Sequence, residues 1–171
     1  MKNLKSLVVR AAAVAVTVAV LAGCGFQLRG ASGQYSMPFQ SIWLAFPDTS
    51  PLGTELKRNL RAGDSVAIES DPAKAQALFD VLSEQRGKSI LSLNSQGRVR
   101  EYLLTYTLVF RVRNQMGAEL LGPTEISLKR NIAFNESQVL AKEAEEALLY
   151  RDMQSDLVQQ ILRRLAAIKP V

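Results

Sequence analysis

One cysteine in 171 residues, and no histidine, set what chemistry this chain can do. The cysteine, Cys24, ends the tetrapeptide Leu21-Ala22-Gly23-Cys24, which follows the pattern of a lipobox. In that pattern the thiol is alkylated by diacylglycerol, the chain is cut ahead of it, and the cysteine becomes the first residue, carrying palmitate-type acyl chains. A thioether is required, so no other side chain would serve. With no histidine and the only thiol committed to lipid, Ser–His–Asp and Cys–His mechanisms and histidine-based metal sites are excluded. A carboxylate pair or a Ser–Lys pair stays open on composition alone. However, there is no Ser-x-x-Lys motif and no glycine-rich phosphate loop. The expectation is a protein that is not an enzyme, with no catalytic residue, no metal and no cofactor.

The segment before Cys24 explains its position. Lys2, Lys5 and Arg10 make a positive start, and Ala11 to Leu21 is a run of Ala, Val and Leu broken only by Thr17. That run is too short to span a bilayer comfortably and ends in small residues, as a signal peptide does. Residues 1–23 are therefore expected to be a cleaved lipoprotein signal, 24–38 the lipidated N-terminus and a linker, and 39–171 one domain. Gly25, in place of Asp, points to the outer membrane by analogy with other lipoproteins. Each buried acyl methylene contributes about 0.8 kcal/mol, so two or three chains on Cys24 hold firmly where one would not. Cleavage removes three basic residues and leaves 18 against 16 acidic ones. A balance so near neutral gives no reason to expect a nucleic-acid partner.

The rest of the chain supplies the elements of a single core. Ser41 to Phe46 suits a buried strand. Ser50 and Pro51 can cap and open a helix whose Leu52, Leu56 and Leu60 recur every four residues, with Gly63 to stop it. Ser65 to Glu69 is a second short strand before Asp71-Pro72. Ala77 to Glu84 begins a strand that reads on past Gly87 to Leu93, and Asn94 to Gly97 is a turn. Tyr102, Leu104, Tyr106, Leu108, Phe110 and Val112 then alternate with a mixed face, the mark of a strand packed on one side. Asn114 to Gly117 turns again. Ile126, Leu128, Ile132 and Phe134 continue in step two, broken by Arg130, which is expected to pair with an acid. Pro123 predicts a bulge or an edge. The last helix is expected from about Leu140 to Ala167, with a stripe of Leu149, Met153, Leu157, Ile161, Leu165 and Ile168 flanked by Leu148, Val158 and Leu162. Its acidic start and basic end complement the helix dipole. The expected fold is α+β, with two helices packed on one face of a mostly antiparallel four-stranded sheet.

Several segments carry a family resemblance. Cys24-Gly25-Phe26-Gln27-Leu28-Arg29-Gly30 resembles the opening of mature LptE proteins, the lipopolysaccharide-assembly lipoproteins also called rare lipoprotein B. Arg100-Glu101-Tyr102, Val139-Leu140-Ala141-Lys142 followed by Glu143, Glu145 and Glu146, and Arg151-Asp152-Met153 running on to Ile161-Leu162-Arg163-Arg164-Leu165 agree with it in order and spacing. The resemblance implies two helices on a four-stranded sheet. It also implies a place in the lumen of the outer-membrane β-barrel LptD, a part in assembling that barrel, and binding of lipopolysaccharide without covalent chemistry. For ligand contact it implies Lys142 at the start of the last helix. It implies also a basic residue in the turn before the Glu-Tyr strand, where this chain has Ser95 and the nearby Arg98 and Arg100 stand in. Outside the resemblance, a peptidoglycan-binding lipoprotein or the scaffold of another envelope machine would equally suit a lipid-anchored domain.

Overall fold

The computed structural model describes residues 36–63 and 66–169. The expected signal segment, Cys24 and most of the linker lie outside the described residues. The elements in chain order are β1 (Ser41–Leu44), α1 (Pro51–Ala62), β2 (Ala67–Ile68), β3 (Ala77–Leu93), β4 (Val99–Arg113), β5 (Glu119–Ala133) and α2 (Val139–Ala166). Short 3-10 turns at Pro72–Lys74 and Glu136–Gln138 lead into β3 and α2.

Local chemistry accounts for the ends of α1 and for both hairpin turns. Ser50 caps α1, its hydroxyl accepting from Gly53 N at 3.1 Å, and Pro51 needs no partner for an N–H it lacks. Gly63 ends that helix in a right-handed conformation, its N–H returning to Leu60 O. The two long hairpins turn alike. Gly97 and Gly117 adopt φ of 77° and 85°, which side chains resist. The Asn94 side-chain oxygen Oδ1 accepts from Gln96 N and Arg98 N, and that of Asn114 from Ala118 N.

Among the described residues the sheet has five strands in the order β2-β1-β3-β4-β5, not four, and it is mixed. β1 runs parallel to both its neighbours, while β3, β4 and β5 form an antiparallel meander. Direction here is set by crossover: α1 carries the chain back to the end where β1 began, so β2 must run alongside β1. A two-residue strand is too short to show any period of its own.

One face of the sheet carries the core. Leu104, Tyr106, Leu108, Phe110 and Val112 of β4 are fully buried, and Leu103, Thr105, Thr107 and Val109 between them are half-buried on the other face. Phe46, Phe79 and Phe110 stack with centroids 5.6 and 4.7 Å apart. Leu52, Leu56 and Leu60 of α1 and Met153, Leu157, Val158, Ile161, Leu162 and Leu165 of α2 close over them. Leu148, expected to flank the stripe, is exposed. It lies in the first half of α2, before the six buried positions begin at Met153. Arg130 does pair with an acid, Asp156, at 2.5 Å. The register shift beside Gly122-Pro123, on the edge strand β5, is the irregularity that the proline predicted. No helix among the described residues is long and apolar enough to cross a membrane.

Candidate functional site

The turn between β3 and β4 and the exit of β5 meet at one end of the sheet. Phe134 N donates to Arg100 O at 2.8 Å, and the Arg98 guanidinium lies 3.5 Å from the Glu136 carboxylate. Lys142 follows in the first turn of α2, so the three expected cations belong to the same end. Their states differ. Lys142 is paired to Glu145 at 2.8 Å, with its side chain only 20% exposed. Arg98 is exposed and also bonds the Gln96 amide oxygen. Arg100 is exposed and has no ion pair among the described residues. Ser95 stands exposed in the turn itself.

Sequence reasoning missed the apolar part of this end. Ile90, Leu91 and Leu93 of β3 and Val139 and Leu140 of α2 are all exposed, Leu140 to 82%. Tyr102 and Phe134 pack edge to face beside them, centroids 5.3 Å apart. Large apolar side chains left in solvent beside cations make this end of the sheet amphiphilic. The signal was present in the Ser89-to-Leu93 run, which reads as core although Ile90, Leu91 and Leu93 are all exposed.

A second set of cations, also missed, lines a groove of about 920 Å3 between α1, α2 and β3. Lys88 lies 4.4 Å over the Tyr102 ring and 2.5 Å from Glu146, whose hydrogen bond raises the ammonium above its ordinary pKa. Arg86 sits 4.5 Å over the Tyr106 ring and bonds the Tyr106 hydroxyl and Gln154, each at 3.1 Å. Burial, and the hydrogen bond to Glu84, push the Tyr106 phenol up to about 12, so it stays a neutral donor. Arg86 and Lys88 stand in step with Glu84 and Ile90, a two-residue spacing that places all four on the helix-bearing face.

Among the described residues, the opposite face of the sheet bears no helix. The Thr107 and Ser127 hydroxyls are hydrogen-bonded there at 3.0 Å. Asp80 accepts from Arg111 at 3.0 Å and Arg113 at 2.7 Å. Among the described residues no cluster of carboxylates could hold a metal ion.

Comparison with known proteins supplies what geometry alone does not. The family model described as LptE, lipopolysaccharide-assembly, matches residues 39–165. The LPS-assembly lipoprotein LptE of Pectobacterium atrosepticum is 29% identical over 90% of this chain and 82% of its own. That of Yersinia enterocolitica is 27% identical over 90% and 73%. Among solved structures, lipoprotein B of Nitrosomonas europaea is similar at TM-score 0.71 and 38% identity, covering 84% of this chain and 91% of its own. Rare lipoprotein B of Shewanella oneidensis is similar at 0.66 and 25%, covering 75% and 95%.

Proposed function

From the premise that this chain belongs to the LptE, lipopolysaccharide-assembly family, we propose that it is an outer-membrane lipoprotein that joins the barrel LptD, aids its assembly and binds lipopolysaccharide on the way to the outer leaflet. The family's role is envelope assembly and is not enzymatic. Cys24, freed as the first residue by removal of 1–23, carries the anchor.

The observation that carries the ligand reading is the meeting of the Arg98–Arg100 segment with the entry to α2 at one end of the sheet. Lipopolysaccharide presents phosphates and acidic sugars next to acyl chains. Arg forks and Lys point charges suit the former, and the exposed Ile90, Leu93 and Leu140 suit the latter. In this reading Lys142, Arg98 and Arg100 contact the ligand. The helix-free face, with Thr105, Thr107, Arg111 and Arg113, suits the polar lumen of a large barrel. The test is to solubilise outer membrane in mild detergent, purify this chain and identify what accompanies it. LptD in a one-to-one complex is expected. Recovery with peptidoglycan, or with a different barrel, would overturn the reading.

A further inference from the structure

β3 spans 17 residues, but its β1 side is filled for only the first few. β1 pairs with Ala77, Leu78 and Phe79, and Ala45 N donates to Phe79 O at 2.9 Å. Among the described residues no strand pairs with that side of β3 from Asp80 onward. Irregularities in register stand around Leu82 and again around Leu91. Between them Ser83 to Ile90 is a regular open edge, roughly 26 Å long at the usual strand rise.

Backbone direction along that edge follows from the ladder. Arg100 O accepts from Phe134 N, so even-numbered residues of β4 turn their backbone groups to β5 and odd-numbered ones to β3. Ser83, Gln85, Gly87 and Ser89 face those odd residues and are committed to β4. The N–H and C=O groups of Glu84, Arg86, Lys88 and Ile90 therefore point out of the free edge.

The side chains of two of these residues, Arg86 and Lys88, line the groove between the helices. Its lining holds one more base than acid: Arg58, Arg86, Lys88 and Arg151 against Glu55, Glu143 and Glu146. Glu55 and Glu146 are already paired with Arg58 and Lys88. Among the described residues, Arg86 has only the neutral Tyr106 and Gln154 as hydrogen-bond partners. The other edge of the sheet is built differently. On β5 the carbonyls of Glu125 and Lys129 are taken by Arg164 and Arg130, each at 3.0 Å, and Pro123 lacks a donor. Such devices blunt an edge against pairing.

We infer that the open edge of β3 receives one strand from the partner barrel, an extended segment that sets a carboxylate beside Arg86 and an apolar side chain beside Ile90. The inference rests on the barrel reading above. Strand addition of this kind takes affinity from main-chain bonds and specificity from alternate side chains. A second copy of this chain fits worse. Because β1 fills the edge below Asp80, an antiparallel pair of copies must centre at or beyond Gly87. Centred on Gly87, each Arg86 faces the copy's Lys88; centred on Lys88, the two lysines face each other. Like charges directly opposite are destabilising.

Hydrogen–deuterium exchange at single amides, on the chain alone and in the purified barrel complex, tests this. The amides of Glu84, Arg86, Lys88 and Ile90 should slow at least a hundredfold in the complex. Ile90→Pro removes one outward donor and leaves the β4 ladder whole, and should reduce barrel recovery at least tenfold. Ile90→Val keeps the donor and should recover it fully. Arg151→Glu, at an exposed helix position, should also weaken recovery and serves if the proline variant misfolds by circular dichroism. If the barrel copurifies while the edge amides exchange as freely as before, the edge inference is wrong and the barrel reading stands. If no barrel copurifies with the parent chain, both fall. Protection that grows with concentration of the chain alone would assign the edge to a second copy. Protection by lipopolysaccharide vesicles alone would assign it to lipid. Either result overturns the inference.

Discussion

Lys142 and Arg98 are each held by a carboxylate of their own surface, Glu145 at 2.8 Å and Glu136 at 3.5 Å. Such pairing keeps a cation aimed without burying it, and an anionic ligand has only to displace or share an exposed acid. Reversing both to Glu would set acid against acid. A well-formed charge-assisted contact is worth about 1.5–3 kcal/mol and a surface charge facing anionic lipid about 1 kcal/mol. The double variant Lys142→Glu, Arg98→Glu should therefore bind lipopolysaccharide at least ~10-fold more weakly at low salt, the loss shrinking as salt rises. Barrel copurification should be unchanged, because both residues lie at a tip; normal binding in this variant would remove them from the site. Asp80 is a different case, a partly buried acid between two guanidinium groups. Burial alone would raise its carboxyl, but the hydrogen bonds and charges of Arg113 and Arg111 outweigh that and hold it below the ordinary value. Its contribution is present above about pH 4, the unfolded carboxyl's range, and is lost as pH falls through the lower folded value. Asp80→Asn should lower unfolding free energy by about 1–3 kcal/mol at pH 7, with the difference narrowing toward pH 2 in urea titrations. Equal stability at pH 7 would mean that the pairs contribute nothing net.

Among the elements, α1 shows how packing reverses a local rule. Glycine inside a helix usually costs up to about 1 kcal/mol against alanine. At Gly53, however, an added Cβ would lie 2.6 Å from Phe46 Cβ, and Phe46 is stacked in turn on Phe79. Gly53→Ala should destabilise by about 1–3 kcal/mol as overpacking does, read as a lower midpoint in thermal or urea unfolding. A stabilised variant would show that the β1–α1 loop gives way freely. β4 needs no such argument, since its alternation is the burial pattern. β3 is where the period misleads. Its first residues are core, its last are exposed, and the change comes where β1 stops and the sheet gains an edge.

For the molecule as a whole, the described core runs from Phe39 to Ile168 and is closed by both helices. That arrangement, with the helix-free face available, predicts that the domain folds and meets its barrel independently of lipid. A Cys24→Ala form directed to the periplasm should keep native circular dichroism and still copurify with the barrel. Loss of the barrel with the fold intact would make the lipid part of the interface. In the parent protein, mass spectrometry of the mature N-terminus should find acyl chains on Cys24; cleavage elsewhere would refute the anchor.

The residue inventory by itself determined much of this protein. Absence of histidine, and a single cysteine at the end of Leu21-Ala22-Gly23-Cys24, are facts of composition, which no fold can alter. Helix caps, the two Asn-to-Gly turns, the alternation of β4 and the α2 stripe were legible because each depends on neighbours within a few residues. The family was legible too, since its segments lie in order along the chain. Tertiary structure alone decided the parallel strands β1 and β2, because pairing direction depends on where α1 returns the chain. It alone joined Arg98 to Glu136 across 38 residues and seated Arg86 and Lys88 on tyrosines beneath α2. Among the described residues, it alone left the β1 side of β3 without a neighbour from Asp80 onward. A strand's sequence specifies which face is apolar, but whether its edge is occupied depends on how far a distant strand extends.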